Sequence, residues 1–380
     1  MSTRATPHLT GLSGNEIYCL RLKGLDPQGV LVGNSVQSIG LLGGLRSAVS
    51  GIIGGEVPAV TQVIHDGREA AFQRLVAEAR QAGVSGIVGV SSDLRALSRF
   101  TEFLFVGSGV HAQPRRELFT SAGDAQELYC HMDAGYEPLQ FVFGNIAYSV
   151  GAVRSIVGAL RTLGRGEIKE FSDVFNETRH QALGRMAAHA AQAGANCVVG
   201  VRTHILRFAG FHEMYMTGTA ARHALLPVAG QRAVATSDLT GEELWSLTIL
   251  GYVPLKLLIS TSVYSLGVVG GFMAALKGFV KGEISELTTL VYEAREQVFD
   301  RLDREARALG ADRVVGVKTY IVELGTSLIE IFSVGTAVCQ IEGPKVATAA
   351  LPAQAIIRDR DTWVDGEVAL DMTDIRAGGK

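Results

Sequence analysis

Apolar residues recur at steps of three and four through Leu287, Val291, Ala294, Val298, Leu302, Ala306 and Leu309, with charged residues in the positions between. That period marks one buried stripe on an amphipathic helix. The stretch runs from Gly282 to a stop at Gly310, and a valine-rich run ending at Val317 follows immediately. The same pattern is written twice earlier in the chain. Gly55, Arg68, Gly83 and Gly89 recur at constant spacing as Gly166, Arg179, Gly194 and Gly200, and again as Gly282, Arg295, Gly310 and Gly316. Such self-similarity governs the architecture, and the chain reads as a tandem triplication.

Each copy predicts the same elements. Ser13–Glu16, Asp124–Glu127 and Thr240–Glu243 are capping boxes that open a short helix, and Gly24, Gly135 and Gly251 stop it. A β-branched and aromatic stretch then predicts a strand. A Gly/Ala-rich apolar segment follows (41–55, 152–166 and 268–282), read as a helix packed closely on a neighbouring subunit. Glu56, Glu167 and Glu283 open the long helix, where its dipole favours acids. The valine-rich strand carries Gly89, Gly200 and Gly316 in mid-strand, positions that permit another backbone to approach. A last strand pairs with it as a hairpin beside the first.

The expected class is α+β: three tandem α/β sandwich domains, each a small antiparallel sheet with helices on one face. Their boundaries fall at 11–112, 124–223 and 240–342, with linkers 113–123 and 224–239 and a loosely ordered tail, 343–380.

Hydrophobic residues make up 47% of the 380 and charged ones 19%, so each unit has apolar material for a core. The net charge of −3, without a basic block, argues against nucleic acid as a partner. Cys19, Cys130, Cys197 and Cys339 lack CxxC spacing and do not repeat with the unit, which points to free thiols in a reducing cytoplasm. Leu257–Leu276 is uncharged and long enough to resemble a membrane span. Arg46 and Arg154 interrupt its equivalents, so it reads as a buried strand followed by a helix. Membrane-surface scaffolding through the Gly/Ala-rich helices is a further alternative, with few cations to support it.

Ala294-Arg295-Glu296, Leu309-Gly310-Ala311-Asp312, Val314-Val315-Gly316-Val317 and Gly335-Thr336-Ala337-Val338 together resemble the YbjQ-like family, whose members are often labelled heavy-metal-binding domains. Copy two matches at Gly194-Ala195, Val198–Val201 and Gly218-Thr219-Ala220, and copy one more loosely at Gly107–Val110. The resemblance implies a dodecin-like α/β sandwich and assembly of single domains into pentameric rings. Three domains in one chain depart from that pattern. A pentamer of chains would stack three tiers, each copy ringing with its own kind. Copies placed side by side need a domain number divisible by three, which a ring of five excludes.

Chemistry has little to stand on. A metal site needs three or four converging ligands. The densest set lies in copy two, with Cys130, His131, Cys197 and His204 as candidate ligands for a divalent or heavy-metal ion. The residues that do repeat are Arg68, Arg179 and Arg295 at the edge of the buried stripe, placed for a structural or interface role. Glu56, Glu167, Glu283, Gly89, Gly200 and Gly316 join them in that role. No nucleophile elbow, Walker loop or dinucleotide fingerprint occurs. The expectation is a non-enzymatic, self-associating scaffold, with a metal-ion or small-ligand binding protein as the alternative.

Overall fold

Ser13 and Thr240 cap their helices as complete boxes: the Glu16 amide donates to Ser13 Oγ at 3.3 Å and the Ser13 amide to Glu16 Oε2 at 2.7 Å, with the same exchange between Thr240 and Glu243. Asp124 accepts from the Gln126 and Glu127 amides at 2.9 Å, but Glu127 turns away to Arg202. The short helices are Gly14–Leu22, Ala125–Asp133 and Gly241–Ile249. Gly24, Gly135 and Gly251 follow them with positive φ, the conformation a C-terminal stop requires.

The computed structural model describes residues 9–38, 56–97, 100–113, 117–148, 166–208, 211–228, 230, 233–265, 285–323, 328–343 and 345–352. The expected Gly/Ala-rich helices, Glu283 and most of the tail lie outside the described residues. All described helices and strands belong to a unit ending at Ala349; a second unit begins at Ala350.

The long helices, Pro58–Gln81, Lys169–Gln192 and Ser285–Ala308, are each 24 residues. Glu56 and Glu167 precede the helices rather than opening them, because their backbone is held elsewhere. Glu56 bridges Tyr148, and the two-residue strand β6 (Gly166–Glu167) pairs antiparallel with Ser265 and Tyr264.

Each repeat folds its long strands into an antiparallel sheet, as expected. In the first, β3 (Phe100–Ala112) lies between β1 (Leu25–Ser38) and β2 (Gly86–Leu97). In the second, β8 (Phe211–Arg222) lies between β5 (Glu137–Tyr148) and β7 (Cys197–Phe208). In the third, β12 (Leu328–Gln340) lies between β10 (Tyr252–Ser265) and β11 (Arg313–Glu323). The segments read as linkers add a short parallel strand: β4 (Phe119–Thr120) joins β2, and β9 (Ala235–Thr236) joins β7. The long helix packs on one face, where Ile87, Phe103 and Phe105 share a core with Ile64, Phe72 and Leu75. The alternate residues Val88 and Val110 pack with Leu20 of the short helix.

Two kinds of glycine shape these sheets. Gly89, Gly200 and Gly316 have φ of 63°, 61° and 64° at the register shift in each hairpin, so they are bulge residues rather than sites of backbone approach. The close approach occurs at Gly33 and Gly144 in the first strands. A Cβ on Gly144 would stand 2.2 Å from the Ala182 carbonyl oxygen of the long helix.

The repeats pack side by side. The long helix of repeat one shares a core with Phe141 and Phe143 of repeat two, and that of repeat two with Leu257 and Ile259 of repeat three. In the first two repeats one face of the long helix is thus covered by the next repeat of the same chain, an arrangement that does not favour the expected separate tiers.

Gly144→Ala should destabilise the chain by about 1–3 kcal/mol through overpacking, and Gly200→Ala by roughly 1–2 kcal/mol through the left-handed backbone. Urea denaturation followed by circular dichroism measures both; a loss below 0.5 kcal/mol, on the order of the usual surface effect, would contradict the assignment.

Candidate functional site: the seam between repeats

Arg68 leaves the long helix of repeat one fully buried, because its position on the stripe faces the next repeat rather than solvent. Its Nη2 donates to Glu213 Oε2 of β8 at 2.7 Å and its Nη1 to Ser92 Oγ at 2.9 Å. The guanidinium lies 3.7 Å from the centroid of the Tyr215 ring. Burial lowers the Arg68 pKa, but Glu213 and Tyr215 outweigh it and the net shift is upward. The cation is therefore retained where a lone charge would be expelled.

The next seam repeats this arrangement. Arg179 forms a fully buried ion pair with Glu330 of β12 and donates to the Phe175 carbonyl at 3.2 Å. Phe332 replaces Tyr215, with its ring centroid 5.1 Å from the guanidinium. Thr261 Oγ1 donates to Glu330 Oε1 at 2.6 Å. One oxygen of each carboxylate, Glu213 Oε1 and Glu330 Oε2, is buried without a hydrogen bond. The pairs are consequently balanced against a desolvation cost of several kcal/mol per ion.

A second layer fastens the same seam. Glu56 pairs with Arg185 of the next long helix at 2.8 Å, and Glu167 with Arg301 at 2.5 Å. The linker strands hand over to the next sheet as well: Thr120 Oγ1 accepts from the Phe141 amide and Thr236 Oγ1 from the Leu257 amide. The short helices stack in a row, with Lys23 on Asp133 at 2.5 Å and Trp245 Nε1 on Asp133 at 2.8 Å. Although burial opposes it, hydrogen bonds from Lys23, Trp245 and Thr348 hold the Asp133 carboxyl below its usual pKa.

Arg295 lacks this environment and is exposed. Glu213 and Glu330 were not singled out from sequence, although Glu102, Glu213 and Glu330 occupy one repeat position. The signal was available: an acid recurring inside an otherwise apolar strand is a buried partner in waiting.

The four candidate metal ligands do not form one set. Cys197 begins β7 and His204 lies seven residues along it, about 20 Å away at the usual strand rise. Cys197 is buried, its Sγ 3.3 Å from the Ala221 carbonyl, and burial drives its pKa far upward, away from the thiolate a metal requires. Cys130 is also buried, and His204 is exposed. His131 is enclosed with neither ring nitrogen hydrogen-bonded, and burial lowers its pKa to about 4. Among the described residues, no three His, Cys, Asp or Glu side chains converge as a metal would need. Also among them, no helix is long and apolar enough to cross a membrane.

A family model described as "Putative heavy-metal-binding" matches residues 24–113, 134–224 and 245–341, once per repeat. A Mycobacterium tuberculosis protein named as an encapsulin nanocompartment protein is 31% identical over 227 residues, covering 56% of this chain and 84% of the relative. A UPF0145 protein of Bradyrhizobium is 36% identical over 92 residues, 23% of this chain and 83% of the relative. One from Methanoregula boonei is 46% identical over 63 residues, 17% of this chain and 52% of the relative.

Arg179→Met should cost about 3–5 kcal/mol by stranding the Glu330 carboxylate, and adding Glu330→Leu should recover most of it. Urea denaturation of both variants checks this; equal loss in both would contradict the pair. His131→Leu, matching Leu20 and Leu247 of the other repeats, should leave the chain as stable or more so. The buried imidazole has a depressed pKa, so its share of stability is present above about 6.5 and lost as pH falls toward 4. The variant should flatten that acid limb in thermal melts between pH 7 and 4.

Proposed function

Because the chain belongs to the family whose model matches each of its three repeats, we propose that it is a non-enzymatic, cytoplasmic scaffold that associates with copies of itself. The observation that carries this reading is the seam. The same buried guanidinium–carboxylate contact joins repeat one to two and repeat two to three, and it joins unlike surfaces. A contact between unlike surfaces does not satisfy both partners; it leaves one of each kind open at the ends and closes only in a ring or continues as a filament. A stack of pentameric tiers does not suit repeats placed side by side. A ring or tube of whole chains, holding a number of repeats divisible by three, does.

The relative named as an encapsulin nanocompartment protein supports a role in a larger protein assembly. None of the relatives named above carries an enzyme's name. The metal-ion alternative rests on the family description, and the donor set in repeat two does not favour it.

Size-exclusion chromatography with light scattering should give a mass that is a whole multiple of 40.4 kDa, at least twofold. A single 40.4 kDa species at micromolar concentration would reject the scaffold reading.

A further inference from the structure

Successive repeats bury one another in the same way twice, so each end of the row can be compared with what covers its equivalents. Phe141, Phe143 and Ala147 on β5 are buried to 1%, 1% and 0% by the long helix of repeat one. Leu257, Ile259 and Val263 on β10 are buried to the same extent. The corresponding residues of β1, Val30, Val32 and Val36, are 39%, 45% and 52% exposed. Phe211 of β8 is buried, whereas Phe100 at its position in β3 is half exposed. Repeat one therefore presents the receiving face with nothing seated on it among the described residues.

Repeat three presents the opposite face. Phe72 and Leu183 of the first two long helices are buried, and Phe299 at that position is 39% exposed. Val90 and Val201 are buried, and Val317 is 46% exposed. Arg68 and Arg179 are sealed, and Arg295 is exposed. Glu102, at the position of Glu213 and Glu330, is partly exposed on the other end and accepts a hydrogen bond from Asn34 Nδ2 at 3.3 Å.

We propose that these two faces are complementary halves of a third seam, formed between two copies of this chain, in which Arg295 of one copy is buried against Glu102 of the next. This rests on the self-association proposed above and specifies its geometry as head-to-tail. Three further features fit. Lys23 and Asp133 make the salt link between the first two short helices, and the residues at those positions on the outer ends are Leu250 and Leu22, 62% and 49% exposed. An ion pair inside is thus matched by two leucines at the closing contact, so neither end carries a stranded charge there. Second, β2 and β7 are each extended by a parallel linker strand, whereas among the described residues β11 is an open edge. Third, Thr10 contacts Ser108 as Ser121 contacts Thr219, which puts Leu9 and Thr10 of a second copy where that edge would be extended.

One pair opposes closure. His180 faces Glu305 at 3.7 Å across the second seam, and Glu69 acts on His189 across the first. The residues at those positions on the outer ends are Glu296 and Glu78. The seam between copies is accordingly the weakest of the three and the one that opens first on dilution.

The test uses the full chain and three variants, Arg295→Glu, Glu102→Arg and the two combined, in sedimentation velocity and light scattering over a dilution series. Both positions are at the surface of a single copy, so the urea transition measured at the lowest concentration should be unchanged. Each single reversal should weaken self-association at least tenfold, and the combined reversal should restore it. An oligomeric parent whose mass is insensitive to both single reversals would overturn this seam while leaving the scaffold reading intact. Single variants that dissociate without rescue in the combined variant would overturn the Arg295–Glu102 pairing. A monomeric parent, including one whose own residues 353–380 cover either face, would overturn both.

Discussion

A guanidinium buried against a carboxylate from the next repeat is the contact on which this molecule is organised. Neither charge tolerates that environment alone, since each unpaired ion would carry a desolvation cost of several kcal/mol. Arg68 with Glu213 and Arg179 with Glu330 therefore hold the repeats in one register. An apolar seam of the same size would tolerate sliding; a charged pair does not. The rest of the seam is arranged around that fixed point, from the Glu56–Arg185 and Glu167–Arg301 links to the hydroxyls of Thr120 and Thr236.

The sheet is shaped to make the contact possible. Gly33 and Gly144 let the first strand lie against its own long helix without an intervening side chain. The same helix also packs on the neighbouring sheet, where it shares a core with Phe141 and Phe143 or with Leu257 and Ile259. The bulges at Gly89 and Gly200 shift the register of the hairpin where Val90 and Val201 meet their backbone partners in the linker, Ser121 and Ser237. Part of what reads in sequence as a spacer is therefore a structural strand.

Repeat two differs from its neighbours because both of its faces are covered. Polar residues that would be solvated in an end repeat are enclosed there, as with His131, whose two nitrogens are unsatisfied, and Asp133, which receives bonds from both flanking repeats and from Thr348. The concentration of cysteine and histidine in this repeat looked like a ligand set along the chain. In three dimensions it is spread over a short helix and two separated positions of one strand, and burial keeps its thiol at Cys197 protonated.

The sequence by itself determined the triplication, the order of elements within a repeat and the helix stops, because each is a local property: a period, a cap, a glycine that accepts positive φ. It also singled out Arg68, Arg179 and Arg295 as the repeated polar group. It did not reveal that equal residues have unequal fates. Arg295 is chemically identical to Arg68, and Val32 occupies the position of Phe143, yet one member of each pair is exposed and the other sealed. That difference depends on what stands across the gap, and a neighbour's surface is set by the rotation of one repeat against the next, which no local pattern encodes. Tertiary structure decided that the copies lie side by side, and with it which carboxylate each arginine meets.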